Sequence, residues 1–238
     1  MVGKVSKNKQ RQHKKFSLTP YNNMNRYKIV CLVLSVALLA SLARLAVTAN
    51  GEKACCGKHS AEAKSSVVLQ NILNRKSVRS FTDRPVSHEQ LDTLLRAAMA
   101  APTGRDMRPW KFVVVQGRAE MDSLAQRLPY AKMLTEAAAA IIVCGDLSVL
   151  SKEGKPSTNW TFDCSAATEN LLLMAEAMGL GAVWTGVHPY EDRLSVVKAA
   201  LGLPEHIVPL NVVPIGYPKG TPQPKDKFDA ANIHYNRW

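Results

Sequence analysis

The stretch FDCSAATENLLLMAEAMGLG, Phe162 to Gly181, decides the fold because apolar and small residues occupy almost every face of the helix it predicts. A helix on the surface of a domain carries one apolar stripe, whereas a helix that is apolar on most faces is buried on most faces. Gly179 and Gly181 end the helical pattern. We therefore predict a central helix over residues 162–178, buried in the middle of a domain or of a dimer.

Shorter helices and strands are predicted on both sides of this helix, and no internal repeat is evident. Apolar residues at helical spacing indicate helices, and short β-branched runs indicate buried strands. A possible capping box, Ser87 with Gln90, precedes the second helix. The predicted order is a helix ending near residue 74, a helix that includes 91–98, a strand at 111–115, helices near 119–127 and 132–137, a strand at 139–145, the central helix, a strand at 181–187, a helix at 192–201 and a strand at 207–215.

The net charge of +12 is concentrated at the N-terminus of the 238-residue chain. Residues 1–28 contain eight Lys and Arg and no acidic residue, whereas residues 65–238 contain 19 basic and 17 acidic residues, a difference of 2. The basic character therefore belongs mostly to a leader and not to a face of the folded domain. No nucleic-acid partner is expected.

An apolar block, IVCLVLSVALLASLA at residues 29–43, follows the basic residues. Its 15 residues are fewer than the roughly 20 that a membrane-spanning helix needs. Together with the small residues of Val47-Thr48-Ala49, the pattern is typical of a secretory signal peptide. An uncleaved membrane-anchoring helix is the alternative. We predict a leader at 1–49, a linker at 50–64 and a domain at 65–238, either exported to the periplasm or anchored to the membrane by the apolar block.

The five cysteines do not indicate a compartment. Cys55 and Cys56 are adjacent, and adjacent cysteines rarely pair with each other. With His59 they could bind a metal ion, but no fourth ligand is evident in the surrounding sequence. We predict no metal site and keep this cluster as the alternative.

Four turn-rich segments have the composition of ligand-binding loops. NRKSVRSFTDRP, 74–85, alternates cations with hydroxyls, which suits a phosphate group, although a solvated basic turn is the alternative. APTGRDMRPW, 101–110, combines a proline and a glycine in a tight bend with short polar side chains. GLGAVWTGVHP, 179–189, has glycines that let the main chain approach a ligand closely. PKDKFDAANIHYNRW, 224–238, adds two lysines at the C-terminus.

The order of these segments resembles the nitroreductase family of flavoproteins from residue 67 to the C-terminus. The similar family motifs are R-x-S-x-R-x-F, A-P-S-x-x-N-x-Q-P-W, D-x-x-x-A-x-x-N-L-x-L-x-A followed by G-L-G, and P-x-x-x-G-Y-P. The residues that carry the resemblance are Arg75, Ser77, Arg79 and Phe81, then Ala101, Pro102, Thr103, Asp106, Arg108, Pro109 and Trp110, then Asp163, Ala167, Asn170, Leu171, Leu173, Ala175 and Gly179–Gly181, and finally Val213–Pro218.

The resemblance implies an α+β, nitroreductase-like fold, in which helices flank a central, mostly antiparallel sheet. It also implies an intimate homodimer with two FMN sites at the interface. The FMN would be bound non-covalently, with its phosphate held by Arg75, Ser77 and Arg79. Lys225 and Lys227 would complete the phosphate site, although the family usually has an Arg in this pair.

For the flavin ring, the resemblance implies contacts with Pro102, Thr103, Asp106, Trp184, Thr185 and Gly186. The first two would lie beneath the isoalloxazine, and the backbone N–H groups of the last two would point toward flavin N5. Asp106 would lie at the pyrimidine edge, where the family has Asn. An ionised Asp accepts hydrogen bonds but donates none, so its charge needs an offset from Arg105 or Arg108.

The activity implied by the resemblance is a ping-pong oxidoreductase reaction. NADH or NADPH would deliver hydride to flavin N5, and a nitroaromatic, quinone or similar electron-poor acceptor would then take its place. Because the cofactor carries the electron chemistry, we predict no catalytic side chain, with His188 as the alternative. Two other functions stay open. One is a different redox reaction, or a different electron donor, on the same fold, and the other is a non-enzymatic, basic membrane-surface protein.

Overall fold

The computed structural model describes the backbone of residues 21–155 and 157–238 and the side chains of 27–41, 61–155 and 157–238. The chain divides into two compact units, of which the first ends at Ala63 and the second is Lys64–Trp238. Most of the basic leader therefore lies outside the described residues. So do the side chains of the cleavage-site pattern at 47–49 and of the cysteine–histidine cluster at 55–59.

The first helix, α1, is Tyr21–Asn74. It includes residues 50–64, which lack proline and are rich in the helix formers Ala, Glu and Lys. The side chains of 27–41 are exposed, and the hydroxyls of Ser35 and Ser41 donate to backbone carbonyls one turn earlier. Within the described part of the chain, no helix combines the length and the hydropathy needed to cross a membrane.

Five strands form one sheet. They are β1 Trp110–Val115, β2 Ala139–Asp146, β3 Gly181–Ala182, β4 Thr185–Gly186 and β5 Ile207–Gly216. The order is β1-β2-β5-β3, β4 also pairs with β5, and every pair is antiparallel. The predicted antiparallel sheet is thus confirmed. The predicted strand at 181–187 is divided into two short strands, both of which pair with β5.

The remaining helices are α2 His88–Met99, α3 Arg118–Arg127, α4 Trp160–Ala177 and α5 Glu191–Leu201. Both hydrogen bonds of the predicted capping box are present at the start of α2. The helix predicted at 132–137 is only a short 3₁₀ helix, Lys132–Thr135, and two others lie at Gly104–Asp106 and Ala230–Asn232.

Two apolar cores lie on opposite faces of the sheet. Along β2, Ala140, Ile142 and Cys144 belong to the core that contains residues of α3 and α5, and the alternate positions belong to the core with α2 and α4. Because both faces are covered, all eight β2 residues are buried, and all of them except the last, Asp146, form a continuous run of apolar and small residues. The predicted burial of α4 is confirmed, since only positions 162, 169 and 177 of this helix are exposed.

The thiols of Cys144 and Cys164 lie in these cores. Burial raises the pKa of each thiol to about 12. Since the thiolate is the reactive form of cysteine, both residues act as small apolar side chains.

The cation-rich segment at 74–85 lies along the end of the sheet. The backbone N–H of Val78 donates to the Ala182 carbonyl at 3.0 Å, and the side chain of Val78 is buried beside Gly181. A Cβ on Gly181 would lie 2.6 Å from Val78 Cγ1, closer than side chains tolerate. The glycine therefore makes room for Val78, and Arg79, the next residue, stays exposed.

Replacing Gly181 with alanine tests this contact. The added methyl group would push Val78 off the sheet, and overpacking of this kind costs about 1–3 kcal/mol. We expect a lower urea midpoint for the full-length Gly181→Ala variant, measured by circular dichroism. The control is Gly117→Ala, whose added Cβ would meet only the flexible carboxylate of Glu120. Equal midpoints for the two variants would contradict the proposed role of Gly181.

Candidate active site

The first predicted site residue, Arg75, directly follows α1. Its Nε lies 3.2 Å from Oε1 of Glu169, an exposed residue of α4. Ser77, also exposed, forms a parallel β-bridge with Ala182. The cationic segment is therefore held between the central helix and the sheet.

Arg79 lines a cavity of about 180 Å³ together with Trp184, Thr185, Gly186 and Arg193. Four predicted site residues, 79 and 184–186, are thus brought together from positions about 100 residues apart in the sequence. The contact arises because the segment after α1 and the β3–β4 segment are bonded to each other through Val78 and Ala182. Trp184 is 37% exposed and forms part of the wall.

Arg193, in the first turn of α5, is a candidate site residue that the sequence did not predict. Its Nη1 donates to the carbonyl of Gly186 at 3.0 Å, and its guanidinium lies 3.9 Å from the centre of the Tyr190 ring. Its Nε is buried and has no hydrogen-bond partner among the described atoms. The sequence shows an arginine shortly after a glycine-rich loop, which could have marked Arg193 as a candidate. The sequence does not show which backbone group this arginine contacts.

The 101–110 turn is anchored by a buried carboxylate at the start of α4. Asp163 accepts hydrogen bonds from the Thr103 hydroxyl at 2.9 Å and from the Gly104 N–H at 3.0 Å. The Thr103 oxygen in turn accepts from the backbone N–H of Arg108 at 3.0 Å. The Thr103 hydroxyl therefore holds the turn together. Sequence reasoning placed Asp163 in the central helix pattern without this anchoring role.

Asp106 is paired within the same turn. Nε and Nη2 of Arg108 donate to its two carboxylate oxygens, each at 2.6 Å. This hydrogen-bonded guanidinium lowers the pKa of the Asp106 carboxyl below its usual 3.8. Arg108 thus supplies the expected charge offset, while Arg105 pairs with Glu153 at 3.2 Å. Arg105, Asp106 and Arg108 all have positive φ angles, of 56°, 54° and 47°, so the turn is tightly coiled.

The remaining predicted residues are exposed. Pro102 lies at the surface beside the anchored turn, and Lys225 and Lys227 belong to an exposed C-terminal segment. Neither lysine is among the described residues that line the cavity with Arg79. The His188 ring lies edge-on to Trp160 with centroids 4.9 Å apart, and its Nδ1 is buried without a described partner.

The chain matches the sequence model of one known protein family. Residues 72–129 and 120–217 match the Nitroreductase family. The chain belongs to the nitroreductase family. The fold and the family that the four motifs implied are therefore confirmed. The protein is a member of a family of oxidoreductases.

Individual relatives agree with this nitroreductase assignment. A protein of Methanothermobacter thermautotrophicus named "Putative NADH dehydrogenase/NAD(P)H nitroreductase" is 43% identical over 171 residues, which are 72% of this chain and 87% of the relative. A crystal structure with the same name from Bacteroides thetaiotaomicron is 55% identical, with a TM-score of 0.68 over 72% of this chain and 98% of that one. An FMN-dependent nitroreductase from Clostridium difficile is 26% identical, with a TM-score of 0.64 over 71% and 98%.

The Asp106–Arg108 pair can be tested by titration. Because the folded-state pKa of Asp106 is lowered, the pair stabilises the fold above the unfolded pKa, and this contribution is lost as the pH falls through the folded pKa. In Arg108→Gln, carboxyl ¹³C NMR should show the Asp106 pKa rising toward its usual value. Arg105→Gln, whose partner is Glu153, is the matched control and should leave it unchanged. An identical Asp106 titration in Arg108→Gln and the parent would contradict the pairing.

Proposed function

We propose that the protein is an FMN-dependent oxidoreductase that passes hydride from NADH or NADPH to an electron-poor acceptor by a ping-pong mechanism. The observation that carries the proposal is the cavity in which Arg79 meets the Thr185–Gly186 strand. It combines a cationic side chain, closely approaching backbone and an aromatic wall, which are the features that a flavin nucleotide needs.

The residues that line this cavity of about 180 Å³ suit part of an FMN molecule, and the rest of the nucleotide would extend beyond it. Two guanidiniums, Arg79 and Arg193, line the cavity, and no acidic residue is among the described residues that line it. An anionic nucleotide would supply the missing negative charge. Arg75 and Ser77, on the same bonded segment, would hold the phosphate together with Arg79. The buried, unpaired Nε of Arg193 also indicates a site that favours negative charge.

FMN, when bound, supplies the redox chemistry by accepting hydride at N5 and releasing it to the acceptor. The protein contributes binding and orientation. The backbone of Thr185 and Gly186 would face the N5 region, and Trp184 would wall the ring. The Asp163-anchored turn would present Pro102 and Thr103 to the ring and the neutralised Asp106–Arg108 pair to the pyrimidine edge.

The nature of the acceptor is proposed from the relatives, whose names include NAD(P)H nitroreductase and FMN-dependent nitroreductase. We propose nitroaromatics, quinones or similar conjugated acceptors that occupy the same ring face as the nicotinamide. Parallel double-reciprocal plots, with NADPH varied at several concentrations of a nitroaromatic acceptor, would support the ping-pong order. Intersecting lines would refute it.

Removing the arginines of the first segment should remove the cofactor. In the full-length Arg75→Ala/Arg79→Ala variant we expect FMN affinity to fall at least tenfold, because two charge-assisted contacts to an anion are lost. The measurement is titration with FMN by fluorescence quenching. The control is Arg84→Ala, since Arg84 stacks on Tyr217 outside the cavity. Parent-like affinity in the double variant would refute the phosphate site.

We further propose that two copies of the chain form a homodimer. The exposed C-terminal segment carries large apolar side chains, with Phe228, Tyr235 and Trp238 exposed by 77%, 83% and 100%. Exposed apolar groups of this size are typical of an interface. Docking of this segment on a second copy would also bring Lys225 and Lys227 to a phosphate site, which supports the predicted role of both lysines.

The dimer should be visible by sedimentation velocity of the full-length protein. We expect Phe228→Ser/Tyr235→Ser to shift the population toward monomer, since it removes apolar contacts, and to weaken FMN binding in parallel. Tyr27→Ser, at an exposed aromatic residue of α1 that does not line the cavity, is the comparison. A parent that sediments as a monomer at micromolar concentration would refute the proposal.

The location of the domain is also a proposal. The basic residues before the apolar block at 29–43 support export to the periplasm or anchoring to a membrane through that block. An exported domain would need an electron donor outside the cytoplasm. Cell fractionation, with the N-terminus of the mature protein determined by mass spectrometry, distinguishes a cleaved leader from an anchor; the full-length chain in the cytoplasmic fraction would refute both.

A further inference from the structure

We propose that Arg193 is a positioning residue that raises the preference of the site for reduced over oxidised FMN. This inference rests on the proposed function. Arg193 adds a positive charge to the cavity wall, and its hydrogen bond fixes the orientation of the Gly186 carbonyl.

The position of Arg193 is determined by two contacts. Its Nη1 holds the Gly186 carbonyl oxygen at 3.0 Å, and its guanidinium stacks on Tyr190 at 3.9 Å. One contact orients the guanidinium along the β4 backbone, and the other covers one of its faces. The side chain is therefore held at the cavity wall, next to the backbone proposed to face flavin N5.

The charge of Arg193 is not neutralised by an acidic side chain in the described part of the chain. Its described contacts are a backbone carbonyl and an aromatic ring, and its Nε is buried and unpaired. Two other arginines of the site differ, because Arg75 pairs with Glu169 and Arg108 pairs with Asp106. A partly buried, unpaired cation acts more strongly on a nearby charge than an exposed ion pair does.

Reduction makes the FMN ring more negative, and the positive charge of Arg193 favours this change. Oxidised FMN takes up two electrons and one proton, and so its ring gains one negative charge. In the enzyme reaction, the hydride of NADH or NADPH carries both electrons and the proton, and the nicotinamide leaves as the oxidised cation. A neighbouring cation stabilises the reduced ring more than the oxidised ring, which raises the midpoint potential.

The test is a spectroscopic redox titration of FMN bound to the full-length protein, with dithionite as reductant and mediator dyes. We expect Arg193→Met to weaken the binding of both redox states of FMN, and to weaken the binding of reduced FMN about tenfold more than that of oxidised FMN. For a two-electron couple, tenfold corresponds to a midpoint potential about 30 mV lower. Arg193→Lys, which keeps the charge, should recover most of the shift.

Arg84→Met is the matched control, because Arg84 also stacks on a tyrosine, at 3.7 Å from the Tyr217 ring centre, but does not line the cavity. It should leave the potential unchanged. If Arg193→Met does not fold, Arg193→Gln removes the charge while keeping a donor for the Gly186 carbonyl. A potential equal to that of Arg84→Met in a neutral Arg193 variant overturns the proposal. A parent that binds no FMN refutes the proposed function instead.

Discussion

The candidate site depends on how the segment after α1 is held against the end of the sheet. Two backbone hydrogen bonds, from Val78 to Ala182 and from Thr82 to Tyr217, fix the segment at both ends. The side chains of Val78 and Phe81 fill spaces that exist only because Gly181 and Gly216 have no Cβ. With these two residues buried, Arg79 between them is held at the mouth of a cavity whose other wall is the β4 strand.

The central helix α4 contacts both the 74–85 segment and the 101–110 turn. It is buried along most of its length, and its polar positions carry carboxylates that contact both loops. Asp163 anchors the 101–110 turn, and Glu169 and Glu176 pair with Arg75 and Lys76 at 3.2 Å and 2.8 Å. A helix that is packed on both the sheet and α2 moves little, so loops attached to it keep a fixed separation. The apolar residues of α4 therefore bury the helix, and its carboxylates position the two loops of the candidate site.

The cations around the candidate site differ in whether an acidic side chain pairs with them. Arg75, Lys76, Arg105 and Arg108 have acidic partners, which lower the net positive charge around the loops. Arg79 and Arg193 line one cavity that has no acidic residue among its described lining residues. Burial of an unpaired guanidinium is unfavourable in the absence of a ligand. The cavity thus favours an anion, which a flavin nucleotide supplies through its phosphate and, after reduction, through its ring.

The sequence by itself determined the family and most of the helices and strands. The all-round apolar run at 162–178 predicted the buried helix, and the β-branched runs predicted β1, β2 and β5. The family resemblance, carried in part by Arg75, Ser77 and Arg79, implied an FMN site. These features are local, so they can be read along the chain. Only the tertiary structure decided that Asp163 holds the Thr103 turn, that Arg108 neutralises Asp106 and that Arg193 contacts Gly186. The first of these contacts joins residues about 60 positions apart, the second depends on positive φ angles in a tight turn, and the third joins a helix to the strand before it. No periodicity in the sequence records any of them.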